Sequence, residues 1–90
     1  MPDAAPLIRV TAVRVLSRYI IELAFADGAI KVIDLEPLLW GEMFQPLVDD
    51  YRLFRQVSVD EQAGTVAWPN GVDLSPRMLY AQAKVATPAG

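Results

Sequence analysis

The sequence predicts an α+β domain: a mainly antiparallel sheet of about five strands built from two β-hairpins, short helices between them and a C-terminal helix. Three observations carry that expectation. Two pairs of short β-branched and aromatic runs are each joined by a turn signal. Between the pairs, apolar residues recur at i, i+4 and i+7. After the second pair comes Ser75-Pro76, the residue types of a helix N-cap and first helical position.

Residues 1–6 read as a flexible lead-in, 7–84 as the domain and 85–90 as a tail. Ile8 to Val15 is rich in β-branched residues and reads as the first strand, with Val13 and Val15 on one face and Arg14 on the other. Tyr19 to Ala26 is the second, with Ile21, Leu23 and Phe25 sharing a face. Asp27-Gly28 then signals a two-residue hairpin loop, because both turn residues need positive φ. That loop sets Phe25 opposite Ile30, Leu23 opposite Val32 and Ile21 opposite Asp34 in the third strand, Ala29 to Leu35. The core face would then hold Ile21, Leu23, Phe25, Ile30 and Val32. A one-residue slip turns every side chain over, so the first hairpin needs either a three-residue loop, Leu16 to Arg18, or a bulge. The other face of the sheet, with Ile20, Ala24, Ile33 and Leu35 beside Glu22 and Lys31, is too apolar for a solvated one. Either the chain's own loops or a second copy should cover it.

Leu35 to Gly41 reads as one helical turn, with Pro37 at its start and Gly41 at its exit. Phe44 to Phe54 reads as a single helix with Leu47, Tyr51 and Phe54 on its apolar stripe. Arg55 to Asp60 and Thr65 to Trp68 form the second hairpin, which can add to the first sheet. Trp68-Pro69-Asn70-Gly71 is a turn tetrad. A helix from Pro76 to about Lys84 follows, with Leu74 and Leu79 at the spacing of a hydrophobic staple.

Composition bounds the function. Of the 90 residues 53% are hydrophobic and 21% charged, which describes one globular domain. Net charge is −3 and Cys and His are both absent. Disulfides, thiol nucleophiles and imidazole acid–base or zinc chemistry are therefore excluded. Lys and Arg are scattered, and duplex binding needs them clustered, so direct nucleic-acid binding is disfavoured. The N-terminus lacks the pattern of a signal peptide, and no uncharged stretch approaches a membrane span. The expected location is cytoplasmic.

A distinctive pattern runs through the chain: Phe25-x-Asp27-Gly28, Val32-x-Asp34-Leu35, Leu38-Leu39, Phe44-x-x-Leu47-x-Asp49, Phe54-x-x-Val57, Trp68-Pro69-Asn70-Gly71-x-Asp73-Leu74 and Leu79-Tyr80. It resembles a small bacterial family, domain of unknown function 2442, from about Leu7 to Lys84. The resemblance implies an α+β fold of mainly antiparallel strands with short helices. Family members resemble the N-terminal domain of a two-domain protein whose other domain is a helix-turn-helix. Their genes often lie beside small toxin-like partners, which implies an antitoxin-like or regulatory role. The resemblance supplies no catalytic residues, and no helix-turn-helix is expected after Lys84.

No catalytic, metal or cofactor constellation stands out. Asp49-Asp50 reads as a solvated edge, since adjacent helical residues point about 100° apart. Asp34, placed on the core face by the expected register, should cap the turn after Leu35. Asp73 should bond the amides of its own turn or pair with Arg77. Trp68 should be core with its indole N–H satisfied; any exposed part would be an interface anchor. The candidate partner contacts are Trp68, Asn70, Asp73 and Arg77. The expected function is a non-catalytic protein-interaction module, forming a homodimer or binding another protein. The alternative is a component of a nucleic-acid-associated regulatory complex, and third comes an enzyme using carboxylates and a metal.

Overall fold

The computed structural model describes residues 8–86. Strands β1 (Val10–Ser17), β2 (Ile20–Phe25) and β3 (Ile30–Asp34) are followed by a 3-10 turn (Glu36–Leu38) and by helices α1 (Gln45–Asp49) and α2 (Tyr51–Phe54). Then come β4 (Ser58–Asp60), β5 (Thr65–Ala67), helix α3 (Pro76–Gln82) and β6 (Lys84–Val85). The class is the predicted α+β. One antiparallel sheet has the order β1-β2-β3-β6, and β4-β5 form a separate two-stranded ladder. The second hairpin thus packs beside β1 without extending its ladder, tied at Val10 N–H to Gly64 C=O (2.8 Å). Bulges at Thr11 and Leu16 interrupt that edge, and a bulge bends a strand away from further pairing.

The bulges also solve the first hairpin. Val10 pairs with Phe25, yet Ala12 pairs with Ala24, so one extra residue turns the strand over at Thr11. Val10, Val13 and Val15 all reach the core face as a result. The loop is the two-residue Arg18-Tyr19, with the bulge rather than a three-residue loop restoring register; Val15, not Val13, lies opposite Ile21.

The β2–β3 register differs from expectation by one residue. Ile21 pairs with Ile33, Leu23 with Lys31 and Ala24 with Ile30. The loop is three residues, Ala26 to Gly28. Gly28 N–H bonds Phe25 C=O and Phe25 N–H bonds Ala29 C=O, both 2.9 Å. Gly28 alone has positive φ (93°), which is the type I turn plus glycine bulge that competes with the two-residue loop. The slip moves Ile33 into the core and leaves Ile30 and Val32 on the opposite face with Asp34. Residues 68–72 repeat the same loop. Gly71 (φ 91°) donates to Trp68 C=O, and Trp68 N–H bonds Val72 C=O. Asp27 and Asn70 occupy equivalent places, accepting from the amides of Ala29 (2.9 Å) and Val72 (3.3 Å).

The expected helix Phe44–Phe54 is broken in two at Asp50 (φ −129°, ψ 99°), whose carboxylate accepts from the Arg52 and Leu53 amides. An aspartate that bonds nearby amides competes with a continuous helix. Leu47 and Phe54 still face inward, so the stripe survives the break. Helix α3 starts as predicted, with Ser75 Oγ accepting from Met78 N–H (3.3 Å). It stops at Gln82 rather than Lys84. Ala83 turns extended, and Lys84 and Val85 pair with Val32 and Lys31. Val85 and Ala86, read as tail, are thus part of the sheet, with Ala86 N–H bonded to Ile30 C=O (2.9 Å). The rest of the predicted tail and the lead-in lie outside the described residues.

One core forms between the sheet and everything else. Ile21, Leu23, Phe25, Ile33 and Leu35 meet Leu39, Leu47, Phe54, Val66, Trp68, Val72, Leu74 and Leu79. The shortest extent is 19 Å, room for two layers at about 10 Å per packed layer. Helices and the β4–β5 hairpin make the second layer.

Candidate functional site

With two layers, one sheet face is left over. Residues paired across strands share a face, so the register maps it row by row. Ala12, Ala24 and Ile30 make one row. Arg14, Glu22, Val32 and Lys84 make the next. Ile20 and Asp34 make the last. No described segment covers them: Ile30 is 41% exposed, and Ile20, Ala24 and Val32 are half-buried. Arg14 and Glu22 form an ion pair across this face (3.2 Å), exposed and so worth little to stability. Along β3 and β6 the face deepens into a groove of about 510 Å³ whose lining includes Ile20, Val32, Asp34, Gln82, Lys84 and Val85. The sequence reading expected an apolar outer face but assigned it Ile33 and Leu35, which are core. The one-residue slip exchanges them for Ile30 and Val32.

The predicted contact residues lie elsewhere and fare differently. Trp68 is 3% exposed, and its indole N–H donates to Phe54 C=O (2.9 Å). It packs against the Phe54 ring at 6.0 Å. No exposed ring is left for a partner, so Trp68 is withdrawn as a contact residue. Asn70 is exposed but engaged in its own turn. Asp73 pairs with Ala67 through its backbone. Its carboxylate makes no hydrogen bond or ion pair among the described residues, so the expected link to its own turn or to Arg77 is not formed; Asn70 supplies the turn bond instead. Asp73 and Arg77 are exposed beside this turn. Asp34 keeps its predicted capping role, accepting from Glu36 N–H (2.9 Å), but from the outer face.

Sequence reasoning missed two residues. Trp40 is 76% exposed and Met43 69%. Trp40 falls within the expected helical turn Leu35 to Gly41, whose described 3-10 turn ends at Leu38. The available signal was Gly41 itself, which takes positive φ (91°) and turns the chain outward.

Charge chemistry is sharpest where the β2–β3 hairpin meets α3. Tyr80 donates its hydroxyl proton to Asp27 Oδ2 (2.5 Å). Lys31 sits over the Tyr80 ring at 3.6 Å and donates to Tyr80 C=O (2.9 Å). The Tyr80 bond, then the Ala29 amide, hold Asp27 below the usual carboxylate range, and Asp27 in turn pushes the phenol up. Among the described residues no group of three or more carboxylates is placed to hold a metal, and no helix is long and apolar enough to cross a membrane.

The fold and the site define a small two-layer α+β domain with one sheet face not covered by its own described chain. The chain belongs to the family described as protein of unknown function (DUF2442), which matches residues 10–85. No curated protein and no solved structure matches it.

Proposed function

We propose that this domain is a non-catalytic, self-associating protein-interaction module with a regulatory, antitoxin-like role in the cytoplasm. The observation that supports it is the uncovered sheet face. Its apolar residues run between two cations, Arg14 and Lys84, and two carboxylates, Glu22 and Asp34. In a two-fold interface a patch meets itself, so it must carry both signs in balance. This face does, whereas a patch of one sign would repel its copy. A second copy packed there would bury Ile20, Ala24, Ile30 and Val32 and supply the missing third layer.

The test is mass in solution. Sedimentation at rising concentration should show a dimer, and Ile30→Glu, which places a charge at an exposed position without touching the core, should give a monomer of native secondary structure. A clean monomer for the unaltered chain at high concentration removes the reading.

A further inference from the structure

A second surface stands apart from the sheet face. Gly41 C=O accepts from Phe44 N–H (3.2 Å), which makes 41–44 a turn with Glu42 and Met43 at its tip. Trp40 precedes it, 76% exposed, with Met43 at 69%. The Trp40 ring makes no hydrogen bond, ring contact or cation contact among the described residues. Every other aromatic residue there is at least half-buried. A chain that buries its other described aromatic side chains so consistently leaves this one out in water, next to a hydrogen-bonded turn. Large exposed apolar side chains of this kind act as interface anchors.

The surroundings state the partner's chemistry. Between Lys31 and Arg52 the chain carries Asp34, Glu36, Glu42, Asp49 and Asp50 and no Lys or Arg, although Arg18 lies over the Tyr51 ring at the end of this stretch (5.2 Å). Asp34 and Asp50 are occupied as caps. The carboxylates of Glu36 and Glu42 have no partner among the described residues, and Asp49 has only Gln45 (2.8 Å). This surplus of carboxylates on either side of Trp40 in the chain repels nucleic-acid phosphates and anionic lipid. It attracts Lys and Arg.

We propose that Trp40 and Met43 anchor a protein partner whose apolar pocket is rimmed by Lys and Arg, with Glu36 and Glu42 pairing to that rim. This binding does not depend on self-association through the sheet.

The test is panning of a phage-displayed random peptide library on the Ile30→Glu variant, which holds the sheet face out of the experiment. The expected result is enrichment of peptides that combine aliphatic or aromatic residues with net positive charge. A synthetic copy of one should shift the emission of the exposed tryptophan to the blue. Trp40→Ala should weaken its binding roughly 30-fold, a hot-spot loss, with unchanged thermal unfolding. Glu36→Gln with Glu42→Gln should weaken it several-fold at low salt and less at high salt. No enrichment, a neutral or acidic consensus, or equal binding by Trp40→Ala overturns the proposal. A blue shift on concentrating the unliganded protein also overturns it, because the occupant is then a second copy.

Discussion

At the scale of single residues, most side-chain hydrogen bonds close local turns and caps, and a few tie distant pieces of chain together. Asp27 was legible as turn chemistry from the following glycine. Nothing local revealed that Tyr80, 53 positions away, docks on its free oxygen. The pair makes stability pH-dependent in a definite sense. Asp27 is lowered from its ordinary 3.8, so its contribution is complete above that value and is lost as pH falls through the lowered one. Tyr80 is raised from 10.0, so its contribution is complete below that value and is lost as pH rises through the raised one. Tyr80→Phe should flatten both limbs of a plot of urea midpoint against pH. Unchanged limbs would show that the bond does not form. Trp68 gives a second test. Trp68→Phe keeps a ring in the core and removes the indole bond to Phe54 C=O, which still accepts from Val57 N–H (3.3 Å), so the lost bond should cost about 0.5–1.5 kcal/mol in urea unfolding.

At the scale of elements, one loop is used twice, and it decides the sheet. Phe25 to Ala29 and Trp68 to Val72 share the same closing bonds and a single glycine of positive φ. Asp-Gly does not itself distinguish this loop from the two-residue one. The choice rests on which register buries more. The slipped register pairs Ile21 with Ile33 and sends Asp34 outward, where water and the Glu36 amide satisfy it. The expected register would have turned that carboxylate toward the core. The glycines give an internal comparison. Gly28→Ala and Gly71→Ala meet no atom within 4 Å, so each should cost only the backbone term, about 1 kcal/mol. Gly64→Ala carries a similar term (φ 70°) and would also bring its Cβ to 3.1 Å from the Arg9 guanidinium, so its thermal midpoint should fall furthest. Asp50→Ala should cost about 1 kcal/mol in chemical denaturation by removing the cap that starts α2.

At the scale of the whole molecule, the limiting fact is the number of layers. Short helices, the β4–β5 hairpin and α3 fill one side of the sheet, and the described chain has nothing left for the other. If a second copy fills it, folding and association are linked. The thermal midpoint should then rise with protein concentration, and this dependence should vanish in Ile30→Glu. A midpoint independent of concentration would mean that the open face contributes nothing to stability.

Local chemistry was enough for the α+β class, the turns at Asp27-Gly28 and Trp68–Gly71 to within a residue, the Ser75 cap, and the inward stripe of Leu47 and Phe54. Each depends on residues within a few positions of one another, so local chemistry suffices. Long-range packing set the bulged first hairpin, the β2–β3 register, the break at Asp50, the capture of Lys84 and Val85 by the edge of β3, and the exposure of Trp40. These depend on which faces meet across the core and on which backbone groups are left to be paired there. That is settled by segments far apart in the chain.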